Sequence, residues 1–241
     1  MPSHHFLDAN VLIGSLVEWD GQHRCTYRYM QQEGFRRHTS KRVYAECADV
    51  LGRFRRTVLQ YLEYVEQSIP GHPDPLTLDQ TIDRLTGRRM RMLASKREQN
   101  VLRSFVRRNK EDLRNAMLGT EEGWRAFRRD VIRAIKGALG SLDRDCRDDP
   151  FAPVVCHACC PGDYDDCFPG EKSALADALG YEPDTLVVPD SYYLRVSRIR
   201  EEVCFVTTDT IHILRNRERI EEILPGITVR DPGAFLAGER G

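Results

Sequence analysis

The chain has 241 residues, 41 % of them hydrophobic and 30 % charged, with a formal net charge of -1. That is enough for one large domain or two small ones with a real core, and the near-zero total charge names no partner. No stretch reaches the about 18 apolar residues of a membrane-spanning helix, and Met1 to His5 lacks the basic and apolar regions of a signal peptide. The expectation is therefore a cytoplasmic protein without membrane contact, whose eight Cys are thiols or metal ligands rather than disulfides.

Phe6 and Leu7 predict the end of a short buried strand running into Asp8, and Val11 to Val17 predict the start of a helix. Gln22 to Gln32 reads as a second helix that stops at Gly34. Phe35 to Thr39 is polar enough, through Arg36, Arg37 and His38, to be an edge strand. Ser40 can cap the next helix, whose apolar spacing runs from Val43 to about Gln67 and places Glu46 in its second turn. Pro70, Gly71, Pro73 and Pro75 break it. A wholly helical block follows. Thr77 with Gln80 fits a capping box, a second helix carries Val101, Phe105, Leu113 and Met117, and a third is capped by Thr120 and closed by Gly140.

This block holds the positive charge. Between Arg84 and Arg133, 15 Arg and Lys stand against six acids, a local charge of +9. Such asymmetry fits a polyanion-binding face, with Arg88, Arg89, Arg91, Arg103, Arg107 and Arg108 as candidate nucleic-acid contacts; the bland reading is a solvated helix surface. An acidic linker from Asp143 to Asp149 comes next, then Cys156, His157, Cys159, Cys160 and Cys167 among prolines. This segment reads as a loop with enough ligands for a tetrahedral Zn²⁺, or as plain thiols. A helix from Glu171 to Leu179 ends at Gly180. Thr185 to Pro189 leads to Asp190 at the start of a helix that reaches about Glu202. Val203 to Thr207 is the clearest buried strand and ends at Thr208 and Asp209. A helix from Ile211 to Ile223, a short strand from Ile227 to Val229 and a tail after Gly233 complete the chain.

Asp8 and Asp209 end strands, Asp190 starts a helix, and Glu46 lies near the start of another. Strand ends and helix starts share one edge of a parallel sheet, which is where open α/β sheets bind ligands. Each acid alone reads as a helix cap; their joint placement points to a divalent metal, which would offset the cost of burying carboxylates.

Phe6-Leu7-Asp8-Ala9-Asn10-Val11-Leu12 resembles the opening motif of PIN-domain nucleases. Thr39-Ser40 with Val43-Tyr44-Ala45-Glu46 is similar to their second motif, Val188-Pro189-Asp190-Ser191 to the third acidic position, and Phe205-Val206-Thr207-Thr208-Asp209 to the fourth. Val229 to Leu236 is similar to the way many of these domains finish. The resemblance covers about residues 1–66 and 171–241. It implies an α/β, PIN-like three-layer sandwich with a central, mainly parallel sheet, here with an all-helical insertion over 67–150 and a Cys-rich loop over 151–170. It further implies a Mg²⁺- or Mn²⁺-dependent endoribonuclease with Asp8, Glu46, Asp190 and Asp209 as catalytic residues. Asp8, Asp190 and Asp209 would bind the metal, and Asn10 or Thr208 would orient a ligand. The basic insertion and the Cys segment, with Cys156, Cys159, Cys160 and Cys167 as zinc candidates, depart from the compact toxin-type members. RNA is the expected partner. A non-catalytic RNA-binding scaffold, a toxin held by an antitoxin or other protein partner, and a homodimer stay open.

Overall fold

The computed structural model describes residues 3–69, 74–180 and 184–236. Pro70, Gly71 and Pro73, Met1 and Pro2, and the last five residues of the tail lie outside them. The chain divides into two compact units. The first takes in Met1–Leu16, Gln22–Ala48 and Ser141–Gly241, the second Val17–Gly21 and Asp49–Gly140. The boundary falls inside the long helix after Ser40, so residues 49 to 66 belong to the second unit.

The first unit is α/β. Its strands are β1 (His4–Leu7), β2 (Arg36–Ser40), β3 (Cys146–Arg147), β4 (Val154–His157), β5 (Val203–Val206) and β6 (Ile227–Arg230). They form one sheet in the order β3-β4-β2-β1-β5-β6, and every pairing is parallel. Val203 to Val206 is buried throughout, as expected of a strand covered on both faces. Helices α1 (Ala9–Leu16), α2 (His23–Met30), α7 (Pro169–Leu179), α8 (Asp184–Leu194) and α9 (Arg217–Ile223) belong to this unit. Gly180, at φ 61°, terminates α7 in the left-handed conformation that glycine adopts at least cost.

Three strands differ from expectation, and one of them is β3, since Cys146 and Arg147 of the expected acidic linker pair with Val154 and Val155. β2 lies inside the sheet, between β4 and β1, because its polar side chains find partners there. Arg37 stacks on Phe35 and donates to the Tyr29 and Gln32 carbonyls, and His38 bonds to two other histidines. The Cys segment begins as β4 rather than as a loop, since Val154, Val155 and Cys156 alternate with the burial of a strand. Three helices differ too. The helix after Thr120 continues through Gly140, because Ile135, Ala138 and Leu142 keep a buried stripe across it. α8 starts at Asp184 and carries Pro189 inside, so Asp190 is an interior helical residue. It then gives way to a π-helical turn, Arg195–Ile199. The segment after Asp209 opens as turns and a short 3₁₀ stretch, Leu214–Asn216, before α9. Asp209 bonds the backbone of Ile211 and His212 there and diverts the chain from a regular first turn.

At the β6 edge, the outward N–H of Ile227 donates to the Leu224 carbonyl at 3.0 Å. That of Val229 donates to a Glu221 oxygen at 2.7 Å, a carboxylate that also accepts from Arg230.

The second unit is helical. It contains the later part of α3 (Lys41–Ser68), α4 (Leu78–Met92), α5 (Lys96–Leu118) and most of α6 (Glu121–Asp145). Tyr61, Leu62, Leu78, Ile82, Leu102, Phe105 and Leu113 are fully buried, and Trp19 packs edge-on against Phe105. The Thr77 hydroxyl turns to Asp74 instead of capping α4. The full capping box belongs to Ser95 and Glu98 at α5. No helix among the described residues is long and apolar enough to cross a membrane.

Candidate functional site

The sheet order reverses beside β1. The chain leaves β1 for β2 on one side and enters β5 on the other, so the carboxyl ends of β1 and β5 flank a topological switch point, the usual ligand crevice of such sheets. Asp8 follows β1 directly and is 5 % exposed. Its Oδ1 accepts from the Ala9 N–H at 2.7 Å. Its Oδ2 accepts from Asn10 Nδ2 at 3.2 Å and from the Thr207 hydroxyl at 2.7 Å. Thr207 follows β5, and its hydroxyl oxygen also accepts from the Asp209 N–H at 3.0 Å. A single hydroxyl therefore ties two strand ends and two of the expected acids into one network.

The expected orienting residue was Thr208; the hydroxyl that reaches Asp8 belongs to Thr207, and Thr208 is half-exposed. Strand alternation could have indicated this. Phe205 pairs with Phe6, so Thr207 lies on the face and at the level of Asp8. Asn10 stands where expected.

Asp190 is 3 % exposed. The Arg42 guanidinium, in the first turn of α3, lies 3.7 Å from its Oδ2. Sequence reading missed Arg42, although its place just after β2 puts it on the same edge. The Cys159 thiol lies close enough to Asp190 and Ser40 to feel both, which places the segment after β4 beside this pair. Asp209 is half-buried, and its Oδ1 accepts from the Ile211 and His212 N–H groups, each at 2.8 Å. Glu46 is half-buried in the second turn of α3. Asp8, Glu46 and Asp209 thus lie on segments that leave the carboxyl edge of the sheet, whereas Asp190 lies inside α8 and is tied to the start of α3 through Arg42. Among the described residues, no three His, Cys, Asp or Glu side chains gather closely enough to hold a metal ion.

Hard oxygen donors suit Mg²⁺ or Mn²⁺. Such ions are commonly held by one or two carboxylates with waters and substrate phosphate oxygens, without a protein cage. The donor chemistry of Asp8, Asp190 and Asp209 fits that pattern. Zinc is different, because it needs about four ligands in a tetrahedron. Cys156 is buried on β4, Cys160 is buried, Cys159 is half-buried and Cys167 is exposed. Cys160 and Cys167 share a hydrogen bond. Burial, the largest influence on each, pushes the Cys156 thiol up to about 11 and that of Cys160 to about 12. Among the described residues these thiols are not gathered into a group of three or more metal-ligating side chains.

Of the candidate RNA contacts, Arg88, Arg91, Arg103, Arg107 and Arg108 are exposed and Arg89 is half-buried. Arg89 donates to the Gln60 side chain at 2.7 Å and Arg103 to Asn100 at 3.1 Å. Elsewhere in the second unit Lys110, Arg114, Arg125, Arg128 and Arg133 pair with acids. Arg88, Arg91, Arg107 and Arg108 have no acidic partner among the described residues, so their charge faces solvent.

Set against known families, characterised proteins and solved structures, the chain has no match.

Proposed function

We propose that this chain is a PIN-like, Mg²⁺- or Mn²⁺-dependent endoribonuclease whose catalytic edge is built on Asp8. The observation that carries the reading is the Thr207–Asp8 hydrogen bond, 2.7 Å long, at the switch point of an all-parallel sheet. A carboxylate with 5 % exposure, fixed by donors from its own helix and from the next strand, is oriented before any ligand arrives, as a reactive site requires. Asp8, with Asp209 and Asp190, would hold the ion. The bound metal would supply an activated water and charge stabilisation at the scissile phosphate.

The chain's own groups would do the rest. Thr207 and Asn10 hold the Asp8 carboxylate in one orientation. Arg42 balances the charge of Asp190. Glu46 would accept a proton or a water hydrogen bond at the start of α3. The exposed arginines of the second unit would grip the phosphate backbone, a contact that gives affinity and salt dependence with little sequence choice.

One observation favours a second reading. Among the described residues the acids do not gather into a three-ligand group, which suits an RNA-binding protein without cleavage. Labelled single-stranded RNA, incubated with Mn²⁺, with Mg²⁺ and with EDTA, separates the two. Metal-dependent cleavage by the wild type that is lost in Asp8→Asn supports the nuclease. Cleavage that survives in Asp8→Asn refutes Asp8 as its centre. Binding without cleavage, weakened by salt and by Arg107→Ala with Arg108→Ala, supports the scaffold.

A further inference from the structure

The hairpin of α4 and α5 carries a ladder of ion pairs that stops halfway. Lys110 Nζ lies 2.9 Å from Asp83 Oδ1, and Arg114 Nε lies 3.8 Å from Asp79 Oδ1. Asp79 and Asp83 are one turn apart on α4, as Lys110 and Arg114 are on α5. The two pairs fix an antiparallel register, in which a step up one helix is a step down the other. One further turn brings Gly87 level with residues 106 and 107. Asn109 is non-helical inside α5, but Tyr61 shows that the register holds beyond it. The Tyr61 hydroxyl bonds to Thr86 Oγ1 at 2.9 Å and its ring meets Phe105 edge-on, so residues 86 and 105 stand at one level.

At this third rung the acid is missing. Gly87 offers no side chain, and the space a Cβ would take there meets no other side chain within 4 Å. Three residues before Gly87 and four after it, on the same helix face, stand Arg84 and Arg91. Across the seam stand Arg107 and, one turn earlier, Arg103, which donates to the Asn100 side chain at 3.1 Å. All four arginines are exposed. None has an acidic partner among the described residues, Glu111 four places after Arg107 included. The nearest acid on α4, Asp83, already accepts from Lys110 through both oxygens, at 2.9 and 3.0 Å.

Such a notch has a chemistry. Four guanidinium groups repel one another unless an anion lies among them. Their forked donors match phosphate oxygens, often two at a time. Position on the helix also sorts the other arginines. Arg88 and Arg108 lie roughly 140° and 160° round their helices from Asp83 and Lys110, so they face away from the seam.

We propose that the α4–α5 hairpin holds a backbone phosphate of RNA in this notch, where the third acid of the ladder would stand. Arg84, Arg91, Arg103 and Arg107 surround it, and Arg88 and Arg108 lie outside it. The proposal rests on the reading of this chain as an RNA-binding protein and names the place and the residues of the grip. It applies with or without cleavage.

Gly87→Asp tests it by completing the ladder. The new carboxylate fits the open space, pairs with Arg107 and puts the wrong charge into the notch. Gly137, on another helix of the same unit, is also exposed with open space around it. Gly137→Asp therefore makes the same change of charge elsewhere. Anisotropy of a labelled single-stranded RNA, in EDTA and over a range of salt, reads the affinity of each full-length variant, with folding checked by circular dichroism. Gly87→Asp should weaken binding about ten-fold and lower the salt slope by about one, while Gly137→Asp stays within about two-fold of wild type. Arg84→Gln should weaken binding about three-fold or more, which decides the matter even if Gly87→Asp fails to fold. Gly87→Asp binding like Gly137→Asp, or Arg84→Gln binding like wild type, would overturn the notch and leave the RNA reading standing. A wild type with no salt-sensitive binding would overturn the RNA reading and the notch with it.

Discussion

Thr207→Val removes one hydroxyl and keeps the shape of the side chain. In the folded protein that hydroxyl donates to the Asp8 carboxylate at 2.7 Å and accepts from the Asp209 N–H at 3.0 Å. Thr207 is fully buried, so water cannot substitute at the vacated position. A hydrogen bond to a charged acceptor contributes roughly 1.5–3 kcal/mol, and the Asp209 N–H loses its acceptor as well. Asp8 keeps its bonds from Ala9 and Asn10, which confines the loss to the low end of that range. The expected destabilisation is about 2 kcal/mol, or a fall of about 4–8 °C in Tm for a chain of this size. Urea unfolding and calorimetry measure it. Thr207→Ser restores the hydroxyl and should recover most of the loss. In a double-mutant cycle with Asp8→Asn, the two changes should couple by about 1 kcal/mol or more. A Val variant within about 0.5 kcal/mol of wild type, the usual scatter of a harmless change, would refute the idea that this hydroxyl holds the two strand ends together.

Acid should weaken the first unit through His38. Burial, then neighbouring His157 and His4, lowers its value from the ordinary 6.5 to about 3. The unfolded chain therefore binds more protons between those limits, so the contribution is complete above about pH 6.5 and shrinks as pH falls. By pH 5 the loss is about 2 kcal/mol, readable as a fall in urea midpoint that a variant lacking His38 should not show; equal acid sensitivity in both would contradict it. In the second unit, Ser95→Ala removes the hydroxyl that accepts from the Glu98 N–H at 3.1 Å. It should cost about 1 kcal/mol, seen as faster amide exchange at the start of α5. Unchanged exchange there would mean the capping box contributes nothing.

The sequence shows some features plainly. The uncharged run Val203 to Val206 announces a doubly covered strand, and Phe6-Leu7 running into Asp8 announces a strand end carrying an acid. What it hides are partnerships formed far along the chain. Arg36, Arg37 and His38 make β2 look like an edge. It is interior because His38 meets His4 and His157, 34 and 119 residues away, and no periodicity reports such pairs. Pro189 suggests a boundary, yet α8 runs through it, as tertiary packing often overrides a local breaker. Gly140 suggests a stop, but the buried stripe through Ala138 and Leu142 outweighs a glycine cost of about 1 kcal/mol. The choice between Thr207 and Thr208 was open to sequence only through strand register.

The Glu221 carboxylate at β6 has a consequence for self-association. An edge strand exposes a row of backbone donors that another chain can extend into a longer sheet. Here the two outward N–H groups of β6, from Ile227 and Val229, are already bonded to Leu224 and Glu221 of the same chain. An incoming strand would have to displace a carboxylate that Arg230 also holds. The β6 edge is therefore closed to sheet-to-sheet growth, whether as an aggregate or as a strand-paired dimer.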